Sequence, residues 1–304
     1  MTPDRVPPRR ITAMDAPAFA GGEPDFPLSE AHVARLVRAA LDEDEAFNDI
    51  TTLATVIPTR RARAALVARD PGVICGVSLA LAAFVQCDGQ VEIRVDVEDA
   101  RRVDRGATVL FLNGRARGLL AAERTALNFL QRLSGVATRT AQFVDAVRGT
   151  PARIVDTRKT TPGWRRLEKY AVRCGGGTNH RATLADAVLV KDNHLAALDG
   201  DVAVAVRRSR ELAPPGTFVQ IECDSIDQVH AAVDAGADAV LLDNMSLEML
   251  RAGVVIAAGR VVTEASGGVR LDTVRAIAET GVDRISVGAL THSAPAMNLA
   301  LDFE

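Results

Sequence analysis

Between residues 156 and 181 the chain reads Asp-Thr-Arg-Lys-Thr-Thr-Pro-Gly-Trp-Arg-Arg-Leu-Glu-Lys-Tyr-Ala-Val-Arg-Cys-Gly-Gly-Gly-Thr-Asn-His-Arg. Arg158, Lys159, Arg165, Arg166, Lys169, Arg173, His180 and Arg181 are offset only by Asp156 and Glu168. In a chain of net charge -3 this is a local concentration of positive charge, and it also holds Trp164 and Tyr170, the sole residues of their types. Apolar runs flank it, Ala152 to Val155 before and Ala187 to Val190 after. A basic loop between two buried strands suits a ligand with several negative charges, and the glycines at 175–177 let backbone approach one closely. A solvated basic surface is the plainer alternative.

More chemistry sits at the ends of other short apolar runs. Lys191 and Asp192 follow Ala187 to Val190, Glu222 follows Phe218 to Ile221, and Asp243 with Asn244 follows Ala239 to Leu242. Glu264 and Ser266-Gly267-Gly268 close the run from Val261, and Gly288 follows Arg284 to Val287. Arg158, Lys159, His180, Arg181 and Lys191 supply positive charge. Arginine forks grip planar carboxylates through paired bonds. Glu222 and Asp243 could hold Mg²⁺, accept bonds from sugar hydroxyls, or form a glycosidase pair. The cationic excess favours an anionic substrate over a neutral sugar. Ser266 to Gly268 and Gly288-Ala289 are small turns that suit a phosphate, or that simply reverse the chain. Lys191 at a strand end also admits a Schiff-base, aldolase-like chemistry.

These groups need elements to carry them. After Pro151 apolar runs alternate with helical segments, as in a parallel barrel or a doubly wound sheet. Ser225 with Gln228 forms a capping box, Ser246 caps the next helix, and a helix from Leu271 to Thr280 ends at Gly281. In a barrel the strand C-termini converge on one mouth, and there the charged ends would meet. Before Pro151 the pattern differs. Ser29 caps a helix from Glu30 to Leu41 with Val33, Leu36, Val37 and Leu41 on one face. Arg61 to Asp104 is β-like around a helix at Leu79 to Cys87, and Thr108 to Asn113 is a further strand. This is an α+β unit with an antiparallel sheet. Helices at Leu119 to Leu133 and Val136 to Val147 follow, interrupted at Ser134-Gly135. The acidic cluster Asp42 to Glu45 with Asp49 reads as structural rather than as a metal site.

At 304 residues, one large domain or two smaller ones are expected. Apolar content of 48% is ordinary for a soluble domain, and the slight acidity argues against nucleic acid as partner. No apolar run is long enough for a membrane span. Cys75, Cys87, Cys174 and Cys223 show no Cys-x-x-Cys spacing and read as reduced thiols in a cytoplasmic protein. Residues 1–27, rich in proline, read as a disordered leader.

Taken together the motifs carry a resemblance. They are Glu123 to Asn128 with Leu133 to Thr138, Asp156 to Gly163, Gly175 to Gly177 with His180-Arg181, and Lys191 to His194. Glu222, Leu241 to Met245, Glu264 to Gly268 and Ser286 to Ser293 complete the set. From about residue 28 to the C-terminus the chain resembles the quinolinate phosphoribosyltransferase family. Asn48 stands where the family usually has Gly, and Asn298 where Asp is common. The resemblance implies a C-terminal parallel α/β barrel, incomplete and TIM-like with six or seven strands. It also implies an N-terminal α+β sandwich domain. Domains of 28–133, joined by a tail at 290–304, and of 134–289 are expected. The implied reaction turns quinolinate and phosphoribosyl pyrophosphate into nicotinate mononucleotide, pyrophosphate and CO₂ for NAD biosynthesis, with Mg²⁺ held through Glu222 and Asp243. By resemblance Lys159, Lys191, Glu222 and Asp243 are catalytic. Arg158, His180 and Arg181 grip quinolinate, with Arg124 contributed by the other subunit of a homodimer, itself a unit from which a hexamer could be built, and Thr157 is a further substrate-binding residue. Ser266, Gly267, Gly268, Val287, Gly288 and Ala289 seat the 5-phosphate, with His292 nearby. Rival readings are a non-catalytic phosphosugar-binding scaffold and a relative acting on another pyridine or purine acid.

Overall fold

The structure, a computed structural model, describes residues 24–304. The leader expected over 1–27 therefore lies outside the described residues except for its last few. There the carbonyls of Asp25 and Pro27 accept bonds from Arg173 and Arg166.

The chain begins with α1 (Glu30–Glu43), a 3₁₀ turn at Ala46–Asn48 and α2 (Ile50–Thr55). Then come β1 (Arg61–Ala68), β2 (Gly72–Val73), α3 (Val77–Cys87), β3 (Glu92–Val95), β4 (Arg102–Val103), β5 (Thr108–Arg115) and α4 (Ala116–Ala146). The alternating half follows: β6 (Arg153–Val155), α5 (Arg165–Cys174), β7 (Val188–Val190), α6 (Asp192–Ala196), α7 (Val202–Leu212), β8 (Val219–Cys223) and α8 (Ile226–Asp234). It closes with β9 (Ala239–Asp243), α9 (Leu247–Ala257), β10 (Val262–Ser266), α10 (Val274–Ala278), β11 (Arg284–Ser286), α11 (Ala289–His292) and β12 (Leu299–Phe303). No helix among the described residues is long and apolar enough to cross a membrane.

Two compact units result. One holds the described residues up to Ala141, Thr160–Gly176 and Ala289–Glu304; the other holds Gln142–Lys159 and Gly177–Gly288. In the first, an antiparallel sheet runs in the order β12-β1-β5-β3. Leu66 of β1, Leu110 and Leu112 of β5, Leu79 and Phe84 of α3 and Leu119 of α4 are fully buried or nearly so. Each such side chain contributes about 1.5–3 kcal/mol by leaving water. The acidic turn is structural here: Asp42 pairs with Arg38 at 2.8 Å, and Asp49 caps α2 by accepting from the Thr52 amide at 3.0 Å.

Several features of this unit depart from the sequence reading. The two helices expected on either side of Ser134-Gly135 are one 31-residue helix. Glycine there reflects packing: a Cβ on Gly135 would stand 2.1 Å from the Pro295 carbonyl oxygen. Buried Ser134 bonds both the amide and the carbonyl of Cys75. At α1, Ser29 occupies the N-cap but its hydroxyl bonds the His32 ring instead of a helix amide. Residues 160–176, expected within the barrel domain, group with the first unit. The reason is α5, which buries Leu167, Tyr170, Ala171 and Val172 and sends Glu168 to Arg132 at 2.6 Å and Tyr170 to Asp99 at 2.8 Å.

The second unit is a six-stranded parallel sheet in the order β6-β11-β10-β9-β8-β7. From β7 to β11 each strand lies beside its sequence neighbour, β6 lies beside β11, and the ring stays open between β6 and β7. A doubly wound sheet would reverse order at a switch point, so this order is that of an incomplete α/β barrel. A lone parallel bridge, Val155 to Thr178, adds to the outer side of β6. The strands were legible to within a residue or two because they are short apolar runs buried on both sides. The helix expected over Leu271 to Thr280 is only α10, Val274–Ala278.

Candidate active site

Strand register determines which ends can meet. Leu189 pairs with Gln220, Glu222 with Leu241, and Asp243 with Ser266. Side chains alternate faces along a strand. Lys191, two residues beyond Leu189, therefore lies on the same side as Glu222, Asp243 and Ser266 at the C-terminal edge of the sheet. Lys191 Nζ makes an ion pair with Glu222 Oε2. Asp243 Oδ2 accepts from Asn244 Nδ2 at 2.6 Å. The backbone of Lys191 is set by His194, whose Nδ1 accepts the Lys191 amide at 2.9 Å. His194 is thus structural. Lys191 is an exposed ion-paired group, unlike an imine-forming lysine held in a desolvated pocket.

A buried polar layer lies one step down the strands. Glu264 is fully buried and accepts from Ser286 Oγ and from Gln220 Nε2 at 3.1 Å. His180 Nε2 stands 3.1 Å from Gln220 Oε1 and 3.5 Å from Glu264 Oε2. His180 Nδ1 accepts the Arg181 amide at 2.8 Å, so the ring proton is on Nε2. The His180 amide donates to Asp156 Oδ1 at 2.8 Å, and Asn179 Nδ2 donates to Asp156 Oδ2 at 2.6 Å. Burial opposes the charge of Glu264, but the His180 ring and the bonds from Ser286 and Gln220 outweigh it and hold its pKa down at about 2. Burial likewise opposes charge on His180, and the Glu264 carboxylate overcomes it, raising the pKa above the ordinary histidine value.

The guanidinium of Arg181 is buried and donates from Nη1 to the Ala187 carbonyl at 2.9 Å. Burial, followed by the like charge of Arg158, holds its pKa below the usual arginine range. Arg158 is thus near enough for its charge to act on Arg181, and Asp186 acts on it in the opposite sense. Thr157 Oγ1 accepts the amide of exposed Lys159 at 3.1 Å and shapes the turn after β6.

The turn after β10 has a separate logic. Asn244 takes a left-handed φ of 53°, and its amide bonds the Ser266 carbonyl at 2.9 Å. A Cβ on Gly267, at φ 95°, would meet Asn244 Oδ1 at 2.1 Å, so glycine is required there. At Gly268 nothing stands within 4 Å of a Cβ position, leaving that backbone open to a ligand. Val287 is different, because it is buried and its amide donates to the Val155 carbonyl at 3.0 Å, extending the sheet. Of the predicted phosphate turn, Gly288 is half-buried, and Ala289 begins α11 in the first unit. Exposed Arg124 and His292 also belong to the first unit.

Much of the basic run is structural. Trp164 stacks on Phe129 at 5.2 Å between ring centroids, Tyr170 bonds Asp99, and Arg165 donates to Thr160 Oγ1. Sequence reasoning missed Gln220 and Ser286 and took Glu264 only for a strand-end charge. Their signal was a polar residue inside an otherwise apolar run, as in Val219-Gln220-Ile221. The first unit holds a cavity of about 270 Å³ lined by Phe47, Leu53, Cys87, Arg115 and Arg117 among others. No predicted site residue lines it, and its arginines already bind Asp88 and the Leu53 and Val56 carbonyls. The described residues contain no cluster of three or more His, Cys, Asp or Glu able to hold a metal.

Comparison with known proteins agrees with this architecture. Residues 49–134 match the family model for the quinolinate phosphoribosyl transferase N-terminal domain, and residues 136–302 match that for the C-terminal domain. The chain is 46% identical over 272 residues to the nicotinate-nucleotide pyrophosphorylase [carboxylating] of Mycobacterium leprae, covering 88% of this chain and 95% of that one. It is 35% identical over 321 residues to quinolinate phosphoribosyltransferase [decarboxylating] 1b of Nicotiana tabacum, covering 98% and 91%. The solved structure of the nicotinate-nucleotide pyrophosphorylase from Francisella tularensis superposes with a TM-score of 0.88 at 39% identity, covering 94% of this chain and all of that one.

Proposed function

The chain belongs to the quinolinate phosphoribosyltransferase family, and from that premise we propose what it catalyses and the part each strand-end group plays. The enzyme transfers the phosphoribosyl group of phosphoribosyl pyrophosphate to quinolinate with loss of CO₂, giving nicotinate mononucleotide and pyrophosphate for NAD biosynthesis. The observation that carries this reading is the pairing of two unlike surfaces in one unit. Buried Arg181 feels the charge of Arg158 and is fixed by the Ala187 carbonyl, and Glu222 and Asp243 lie on one face of adjacent strands.

Arg158 and Arg181 hold the two carboxylates of quinolinate, helped by the Thr157 turn. His180 has both ring nitrogens engaged by protein and acts through Arg181. Gly267 and Gly268, with Ser266, receive the 5-phosphate, and Gly288 is assigned to the same group. Val287 contributes sheet structure to that turn. Lys159 and Lys191 meet the departing pyrophosphate and the reacting carboxylate. As the bond from the anomeric carbon to pyrophosphate breaks, Glu222 and Asp243 face the positive charge that develops on the ribose. The pyridine nitrogen forms the new bond, the ring becomes cationic, and it accepts the electron pair released when the adjacent carboxylate leaves as CO₂. A proton then takes the vacated carbon.

Two carboxylates on one face are too few for a protein-only Mg²⁺ cage but fit an ion carried on substrate phosphates, with Glu222 and Asp243 as its protein partners. When bound, it would neutralise pyrophosphate charge. The free thiols of Cys75, Cys87, Cys174 and Cys223 suit a cytoplasmic setting. Arg124, exposed on α4, serves the site of the other subunit in a homodimer. Mixed dimers of Arg124→Ala and Lys159→Ala chains should regain activity absent from either parent, and verified heterodimers without activity would remove that assignment. The reaction itself is tested by assaying CO₂ and nicotinate mononucleotide from quinolinate, with nicotinate as the control substrate. Product from nicotinate but none from quinolinate would reject the substrate.

A further inference from the structure

The polar layer under the strand ends contains more than a fold of this kind needs for packing. Glu264 gathers three donors, one each from Ser286, Gln220 and His180. His180 is then fixed at three points: its amide on Asp156, its Nε2 on Gln220 and Glu264, and its Nδ1 under the Arg181 amide. Arg181 in turn is tied at its backbone by His180 and at Nη1 by the Ala187 carbonyl.

We propose that Glu264 is a positioning residue for the dicarboxylate end of the site: through the His180 ring it sets the Arg181 backbone and so aims the guanidinium that works beside Arg158. This rests on the reading that Arg158 and Arg181 hold quinolinate. The chemistry of the layer is specific to a carboxylate. All three neighbours of Glu264 point an N–H or O–H at it, and two anionic oxygens can accept them all. A glutamine of the same size would put its own NH₂ into that ring of donors. The His180 ring then loses its anionic partner and is free to turn, which takes the acceptor from the Arg181 amide. A simple brace for β8, β10 and β11 would instead affect stability or both substrates alike.

Glu264→Gln is assayed as the full-length enzyme with each substrate varied in turn. The KM for quinolinate should rise about tenfold, with kcat and the KM for phosphoribosyl pyrophosphate within about twofold. Calorimetric affinity for benzene-1,2-dicarboxylate, the unreactive carbon analogue of quinolinate, should fall by the same factor. An unchanged quinolinate KM, or equal changes for both substrates, overturns the proposal. Should this variant not fold, Glu264→Asp keeps the charge but draws the carboxylate back from His180 and should raise the quinolinate KM about threefold, again selectively; no rise overturns the proposal equally. Arg158→Ala and Arg181→Ala separate the two layers of the argument. If both bind the analogue as the unaltered enzyme does, the dicarboxylate site itself is misassigned. If both lose binding while Glu264→Gln keeps it, only the positioning role fails.

Discussion

The basic run from 156 to 181 contains two regions whose cations are held in different ways. In the middle, the cations of α5 and its approach meet acceptors supplied by protein. Arg165 donates to Thr160, Arg166 and Arg173 donate to the carbonyls of Pro27 and Asp25, and buried Glu168 pairs with Arg132. At the two ends, Arg158 and Arg181 are set against each other, and a buried acid layer of Asp156 and Glu264 supports the peptide that carries Arg181. Positive charge paired by the fold is structure. Where like charges are brought near each other, as at Arg181 and Arg158, the fold still supplies acceptors such as the Ala187 carbonyl. Composition cannot separate the two; the partners can.

Four experiments press on that contrast. The largest effect should come from the site end: Lys159→Ala should cut turnover about 10³-fold, the scale of losing one preorganised charge on a leaving group, with thermal stability kept. A near-normal rate of CO₂ release would place Lys159 with the structural cations. Next, Glu168→Ala should lower stability by about 3 kcal/mol in urea titration, because half-buried Arg132 and the Thr161 hydroxyl and amide lose their buried carboxylate acceptor. Retained stability would show that the middle region is not held by this pair.

The third effect concerns pH. Glu264 has its pKa lowered from 4.5 to about 2 in the folded chain. A depressed carboxylate stabilises the fold fully above its unfolded pKa, and that contribution fades as pH falls through the folded value. Between pH 6 and pH 3 the native enzyme should therefore lose about 2 kcal/mol that Glu264→Gln does not lose. Parallel urea midpoints in the two proteins would deny Glu264 its charge. The smallest effect should be that of Arg166→Ala, with turnover unchanged and the melting temperature within about 1 °C. A large fall in activity would move the middle of the run into the site.

Much of this was legible beforehand. The short apolar strands and the long ordered motifs marked out the parallel half and its family, because a strand buried on both faces must be apolar and its charged residues then fall where the strand stops. The antiparallel half was legible from its turns and alternation. Less visible were the continuity of α4 through Ser134-Gly135, the loyalty of α5 to the other unit, and the use of Gln220 and Ser286. Each depends on a neighbour distant in the chain: Pro295 for Gly135, Arg132 for Glu168, Glu264 for Gln220 and Ser286.

Local pattern determined the elements, the strand ends and the family, since periodicity, turn chemistry and motif order are properties of consecutive residues. Only the tertiary structure decided which partners each charge meets. That outcome depends on distances between side chains brought together by strand register, and burial amplifies every such interaction.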